Sequence, residues 1–272
     1  MYTTSIKGIL ILLIGLVLST IVFKKTMSSQ RSLLSYASVA ARTKHTATVI
    51  FVHGLGDSGY GWQPVADMFS QDPALNHVKW ILPHAPKRPV TVNGGTLMPA
   101  WFDILSFNRK SEDDGDDEEG MLQSRESLIE LIKNEVQSGI PSERIVLGGF
   151  SQGGVMTLLT GLTSEQKLGG LIVLSARLAL KTKMTEMITK HATSLPIFWG
   201  HGQSDPIVKY AWGVSSAEFL TKTLGVKQLN QTDPVGSIGL NFHTYPSLPH
   251  STSPEEMADL HHWLVSVLPE QA

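Results

Sequence analysis

Three residues of the types that cooperate in acyl transfer, Ser151, Asp205 and His250, occur in that order, each just past an apolar run with strand-like composition. Ser151 is the centre of Gly149-Phe150-Ser151-Gln152-Gly153, preceded by Arg144-Ile145-Val146-Leu147 and followed by Val155-Met156-Thr157-Leu158-Leu159. A strand, a sharp turn and a helix in that order lift a serine hydroxyl clear of a sheet. The turn forces strained backbone angles on the serine, so its neighbours must lack side chains for strand and helix to pass closely. Glycine-rich turns around a serine also occur as plain loops, and the flanking runs and partner residues are what favour a nucleophile. A serine hydroxyl is weak at neutral pH. It needs an imidazole to take its proton and a carboxylate to fix the tautomer and support the imidazolium. Separations of 54 and 45 residues leave room for a strand and a helix between each pair.

Rivals exist for each role. Asp233 lies in a polar stretch and Asp259 within the final helical run, so neither follows a strand. His261 and His262 belong to that same run, while His53, His84, His201 and His243 lie near strand ends. His250 combines a loop position with the order Ser, Asp, His. The glycine-dense loop from His53 to Trp62 follows the β-branched run Thr46 to Val52 and suits the presentation of backbone N–H groups to an oxyanion. Its candidate donor is Leu55, paired with the backbone N–H of Gln152, each such donor being worth roughly 3 to 4 kcal/mol. A plain strand-to-helix turn competes with that reading. A phosphate cradle does not, because the Lys-Ser/Thr pair of a P-loop is missing. The apolar stretch from His84 to Asp103 reads as a long loop covering a greasy groove, with Met98 and Trp101 as substrate contacts, although Trp101 and Phe102 are equally suited to a core.

These residues must be held by alternating strands and helices. Runs at 46–52, 78–83, 144–147, 170–175, 195–201 and 241–245 read as strands, and Ser124–Ser138 and Pro254–Val267 as helices. The pattern predicts an α/β fold with a mostly parallel sheet flanked by helices, its chemistry gathered beyond the carboxyl ends of the strands. Glu112 to Glu119 carries seven carboxylates without the ligand spacing of a calcium loop and reads as solvated loop. No metal site or cofactor is called for.

The chain has 272 residues and no cysteine, which removes disulfides and thiolate nucleophiles from consideration. Residues 1 to 56 hold six Lys/Arg and no acid, leaving 16 basic against 24 acidic residues in the remainder. A body of that sign is a poor partner for nucleic acid. Ile6 to Phe23 is apolar apart from Lys7, Ser19 and Thr20, and as a helix would reach roughly 27 Å, just short of a bilayer core. Without a small-residue cleavage site behind it, residues 1–26 read as an uncleaved anchor, and 27–45 as a basic linker or the tail of a mitochondrial-type targeting segment. Lys24, Lys25 and Arg31 behind the apolar run outweigh Lys7 ahead of it, which favours a catalytic body, residues 46–272, on the cytoplasmic face of a membrane. A start at Met27 gives a soluble form, and the mitochondrial outer membrane stays open.

The segments His53 to Gly59, Pro99 to Asp103, Gly139-Ile140-Pro141-Ser142, Gly148 to Gly154 and Gly202-Gln203-Ser204-Asp205-Pro206 together closely resemble the acyl-protein thioesterase and lysophospholipase group of α/β-hydrolases, over residues 45 to 268. The resemblance implies a hydrolase with little or no cap domain and a channel for a fatty acyl chain. The implied substrates are palmitoylated proteins, with lysophospholipids and other oxygen esters as the alternative. It also implies a triad at Ser151, Asp205 and His250, with oxyanion donors at Leu55 and Gln152. The chain departs from the group at Ser175-Ala176-Arg177-Leu178-Ala179, where members often carry Ser-Cys-Trp-Leu-Pro, so one wall of the acyl groove differs. It departs again in its apolar amino-terminal segment, which substitutes for the reversible lipidation that a cysteine-free chain cannot receive.

Overall fold

A computed structural model describes residues 34–106 and 115–271. The proposed anchor and residues 27–33 of the basic linker lie outside the described residues. Strands β1 (Tyr36–Val39), β2 (Ala47–Val52) and β3 (Val78–Pro83) open the chain, with helix α1 (Gly59–Ser70) between the last two. A hairpin follows, β4 (Lys87–Val90) and β5 (Thr96–Pro99), then helix α2 (Glu118–Gln137), β6 (Ile145–Phe150), α3 (Gln152–Leu162), β7 (Gly170–Leu174) and α4 (Lys181–Met187). The remainder is β8 (Pro196–Gly202), α5 (Tyr210–Lys222), β9 (Gly239–Tyr245) and α6 (Pro254–Val267).

Seven strands form one sheet in the order β1-β3-β2-β6-β7-β8-β9, with β4–β5 a separate two-stranded sheet. Every neighbouring pair in the large sheet is parallel except β1–β3. Parallel strands covered on both faces must be apolar throughout, and β2, β7 and most of β8 are buried at every position. Successive residues serve opposite faces. Ile50, Val52, Leu147, Val173 and Trp199 join the core beneath α2 and α3, while Val49, Phe51, Val146, Ile172 and Phe198 join the core beneath α1 and α6.

Two expectations are corrected. The stretch 84–103 is not an irregular loop: Lys87–Val90 pairs antiparallel with Thr96–Pro99, and Gly94 at φ 65° and Gly95 at φ 76° supply the left-handed turn between them. Its alternation escapes a sequence reading because Pro89 and Pro99 interrupt it. The sheet also begins before residue 46. Tyr36–Val39 pairs with Trp80–Pro83 and buries Ala37, covering what would otherwise be an open edge of β3.

Candidate active site

The end of β6, the loop after β8 and the loop after β9 bring Ser151, Asp205 and His250 together on the carboxyl side of the sheet. His250 Nε2 lies 2.8 Å from Ser151 Oγ, and His250 Nδ1 lies 2.7 Å from Asp205 Oδ2. The carboxylate is held from its other side, where Oδ1 accepts from the amides of Ile207 at 2.8 Å and Val208 at 2.9 Å. A carboxylate fixed this way keeps Nδ1 of the ring as the donor and leaves Nε2 free to accept from the hydroxyl. Phe150 packs on the imidazole with ring centroids 4.9 Å apart, fixing its plane.

The serine pays a conformational cost for its position. Ser151 has φ 55° and ψ −119°, a region that non-glycine residues occupy at a cost of about 1–3 kcal/mol. Its amide donates to Leu174 O at 2.9 Å, so the neighbouring strand holds the turn in place. The two pentapeptide glycines are steric necessities. A Cβ on Gly149 would sit 2.4 Å from the backbone of Gly153, and one on Gly153 would sit 2.0 Å from Val52 O. The glycine-rich loop that begins at His53 lies against this turn, since a Cβ at Gly54 would be 3.4 Å from Ser151 Cβ. His53 organises that loop: Nδ1 donates to Gly54 O at 2.7 Å and Nε2 accepts from Ala85 N at 3.1 Å. Burial lowers the pKa of His53, favouring this neutral tautomer. Leu55 follows directly, and Gln152 opens α3 beside the serine. The Gln152 side chain is engaged elsewhere, its Oε1 accepting from Trp101 N at 2.7 Å and its Nε2 donating to Phe102 O at 2.8 Å.

A strained serine between strand and helix, hydrogen-bonded through an imidazole to a buried carboxylate, can form and hydrolyse an acyl-enzyme. Residues 35–268 match the phospholipase/carboxylesterase family. The chain belongs to this family of α/β-hydrolases. It is 48% identical to acyl-protein thioesterase 1 of Cryptococcus neoformans var. neoformans serotype D, over 86% of this chain and 98% of that protein. It is 46% identical to acyl-protein thioesterase 1 of Mycosarcoma maydis, over 84% and 94% of the two chains. Among solved structures, acyl-protein thioesterase 2 of Zea mays superposes with a TM-score of 0.71 at 30% identity, covering 86% of this chain and 99% of its own.

The cleft of this family member beside Ser151 is lined by Phe102, Ile104, Val155, Arg177, Ile207 and Trp212, and offers about 60 Å³. Neither residue expected to contact substrate lines it. Trp101 is fully buried and donates through Nε1 to His53 O at 2.9 Å, which makes it core and a support for the loop that begins at His53. Met98 lies in the hairpin, where its Sδ accepts from Asn93 Nδ2 at 3.3 Å. From the same segment, Phe102 and Ile104 line the cleft. Ile207 and Val208 follow Asp205 so closely that their place at the site could have been inferred; Trp212 and Val155 carry helix patterns that give no such signal.

The rival histidines have other roles. His201 is buried behind Asp205, donates through Nε2 to Val208 O at 2.9 Å, and has its pKa lowered by burial. It thereby tethers the loop whose amides hold the carboxylate. His84 accepts from Gly59 N at 3.0 Å at the start of α1.

Proposed function

We propose that this chain is an acyl-protein thioesterase, a serine hydrolase that removes long-chain fatty acyl groups from protein cysteines through an acyl-enzyme. The observation that carries this reading is the continuous hydrogen-bonded run Ser151–His250–Asp205 at one end of the sheet, in a chain with close relatives named for that activity. In the proposed reaction, Ser151 Oγ attacks the thioester carbonyl while His250 Nε2 takes the hydroxyl proton. The carbonyl electron pair moves onto oxygen and is held by the N–H groups of Leu55 and Gln152. Collapse breaks the carbon–sulfur bond, and the departing thiolate takes the proton from His250. A water molecule then repeats the sequence against the acyl-serine, releasing the fatty acid and restoring the hydroxyl. Asp205 keeps the ring oriented and supports its positive charge throughout. No cofactor enters these steps.

The same machinery cleaves oxygen esters, and the family description includes phospholipases and carboxylesterases. Comparing kcat/KM on a palmitoylated cysteine peptide with that on lysophosphatidylcholine decides between them. Preference for the lysolipid overturns the thioesterase reading. Loss of fluorophosphonate labelling in Ser151→Ala tests the nucleophile itself.

The apolar run of residues 6–23 supports a further part of this proposal, an amino-terminal anchor that keeps the catalytic body near acylated proteins at the cytoplasmic face of a membrane. Among the described residues no helix is long and apolar enough to cross a bilayer. Asn230-Gln231-Thr232 lies in an exposed turn, so glycosylation there in cells would reverse the orientation.

A further inference from the structure

One wall of the cleft beside Ser151 carries charge. Arg177, in the segment joining β7 to α4, lines the cleft, and its guanidinium pairs with Asp116, the residue two positions before α2. The pair is two-pronged, with Nη2 bonded to Oδ1 and Nη1 lying 3.4 Å from Oδ2. Both side chains are buried, at 6% and 3% exposure. Burying two charges is costly unless they are held in fixed geometry with further hydrogen bonds, and the surroundings supply these. Asp116 Oδ2 also accepts from Leu180 N at 3.1 Å, and Leu178 N donates to Ser216 Oγ at 3.0 Å. Ser216 bonds in turn to the carbonyl of Trp212, another cleft residue, at 2.6 Å. The segment is bounded by two non-glycine residues with positive φ, Ser175 at 47° and Leu180 at 53°. It is therefore a constrained wall, pinned on one side by Asp116 and on the other by α5.

The half-open cleft offers about 60 Å³, far below the roughly 300 to 1,000 Å³ of sites that take drug-sized ligands. A long acyl chain must either displace part of this wall or leave the cleft past Ile207, which is exposed. Phe102, Ile104, Val155 and Trp212 are indifferent to methylene groups, whereas a methylene chain pushed against the guanidinium must disturb its bonds to Asp116. We propose that Arg177, locked to Asp116, is the end wall of the acyl cleft and determines which acyl chain lengths the enzyme prefers. Chains that stop short of the guanidinium fit with the pair intact, and longer chains fit by displacing it. This rests on the reading of the cleft as an acyl site.

The test is a series of thioesters with one leaving group, from butyryl to palmitoyl, hydrolysed by wild type and by the double variant Arg177→Met/Asp116→Asn. Removing both charges avoids an uncompensated buried ion, and asparagine keeps an acceptor for Leu180 N. The palmitoyl-to-octanoyl ratio of kcat/KM should rise by about tenfold or more, as expected for a changed fit of several methylene groups. Arg177→Lys keeps a cation beside Asp116 but loses the two-pronged geometry, and should move the ratio the same way by a smaller factor. It provides the readout if the double variant does not fold. An unmoved ratio in a folded variant, or an equal fall at every chain length, overturns the proposal while leaving the thioesterase reading intact. Failure of the wild type to hydrolyse any member of the series overturns that reading, and this inference with it.

Discussion

At Ser151 the structure combines two requirements that conflict in an ordinary turn, since a non-glycine side chain is needed at an angle that glycine tolerates best. The strain is sustained because Leu174 O holds the amide and the flanking glycines remove competing side chains. In the proposed reaction, each polar member of the run has a separable effect. Ser151→Ala should abolish acyl-enzyme formation, read as loss of covalent labelling together with loss of thioester hydrolysis. Asp205→Asn should keep the fold but permit the wrong imidazole tautomer, lowering kcat on the order of 10⁴-fold. Steady-state kinetics on the two folded variants check this, and a loss below tenfold for Asp205→Asn would remove the carboxylate from the mechanism. The same residue scale explains where Trp101 lies. Trp101 has the composition of a substrate contact, but its indole N–H finds a partner in His53 O, and that bond favours full burial.

Among the elements, the junction of β6 and α3 is the tightest. Gly153→Ala would drive a methyl group into Val52 O, whose calculated separation of 2.0 Å leaves no room for relaxation of a flexible side chain. A cost of about 3 kcal/mol or more is expected, measured as a fall in the denaturation midpoint with loss of activity. A second element-scale effect lies at the start of α6. Glu256 is fully buried against Gly200 of β8. Burial, aided by the charge of Asp259, pushes its pKa from 4.5 up to about 8, against a smaller opposing effect from the Ser253 hydrogen bond. Between those values the folded protein keeps a proton that the unfolded chain has lost. This group therefore makes stability fall as pH rises from 4.5 toward 8, by about 1.4 kcal/mol per unit. Glu256→Gln does not titrate, so urea denaturation across this window should show wild type losing stability relative to the variant. Parallel curves would contradict the assignment.

For the molecule as a whole, residues Leu34–Ala272 form a compact unit distinct from Met1–Leu33. A chain starting at residue 34 should therefore fold and hydrolyse a soluble thioester, and under the anchor proposal it should leave the membrane fraction. A chain starting at residue 46 should fare worse. It would lose β1, expose the edge of β3 and uncover the apolar contacts of Ala37. Thermal denaturation and light scattering of the two fragments check this, and equal stability would show the first strand to be dispensable.

Ser151, Asp205 and His250 could be selected in the sequence because each follows a strand run, and strand runs are legible from local apolar composition. The sheet's core strands were legible for the same reason, since burial on both faces demands near-continuous apolar residues. The hairpin at Lys87–Pro99 was not, because proline interrupts its alternation and its pairing is decided by backbone geometry. Nor was the wall made by Arg177 and Asp116, which are 61 residues apart and meet only when α2 packs beside the sheet. Composition and order determined the fold class and the candidate Ser–Asp–His set, which depend on side-chain type and strand ends. The tertiary structure alone decided what lines the cleft, because contact between distant side chains depends on packing that no local period encodes.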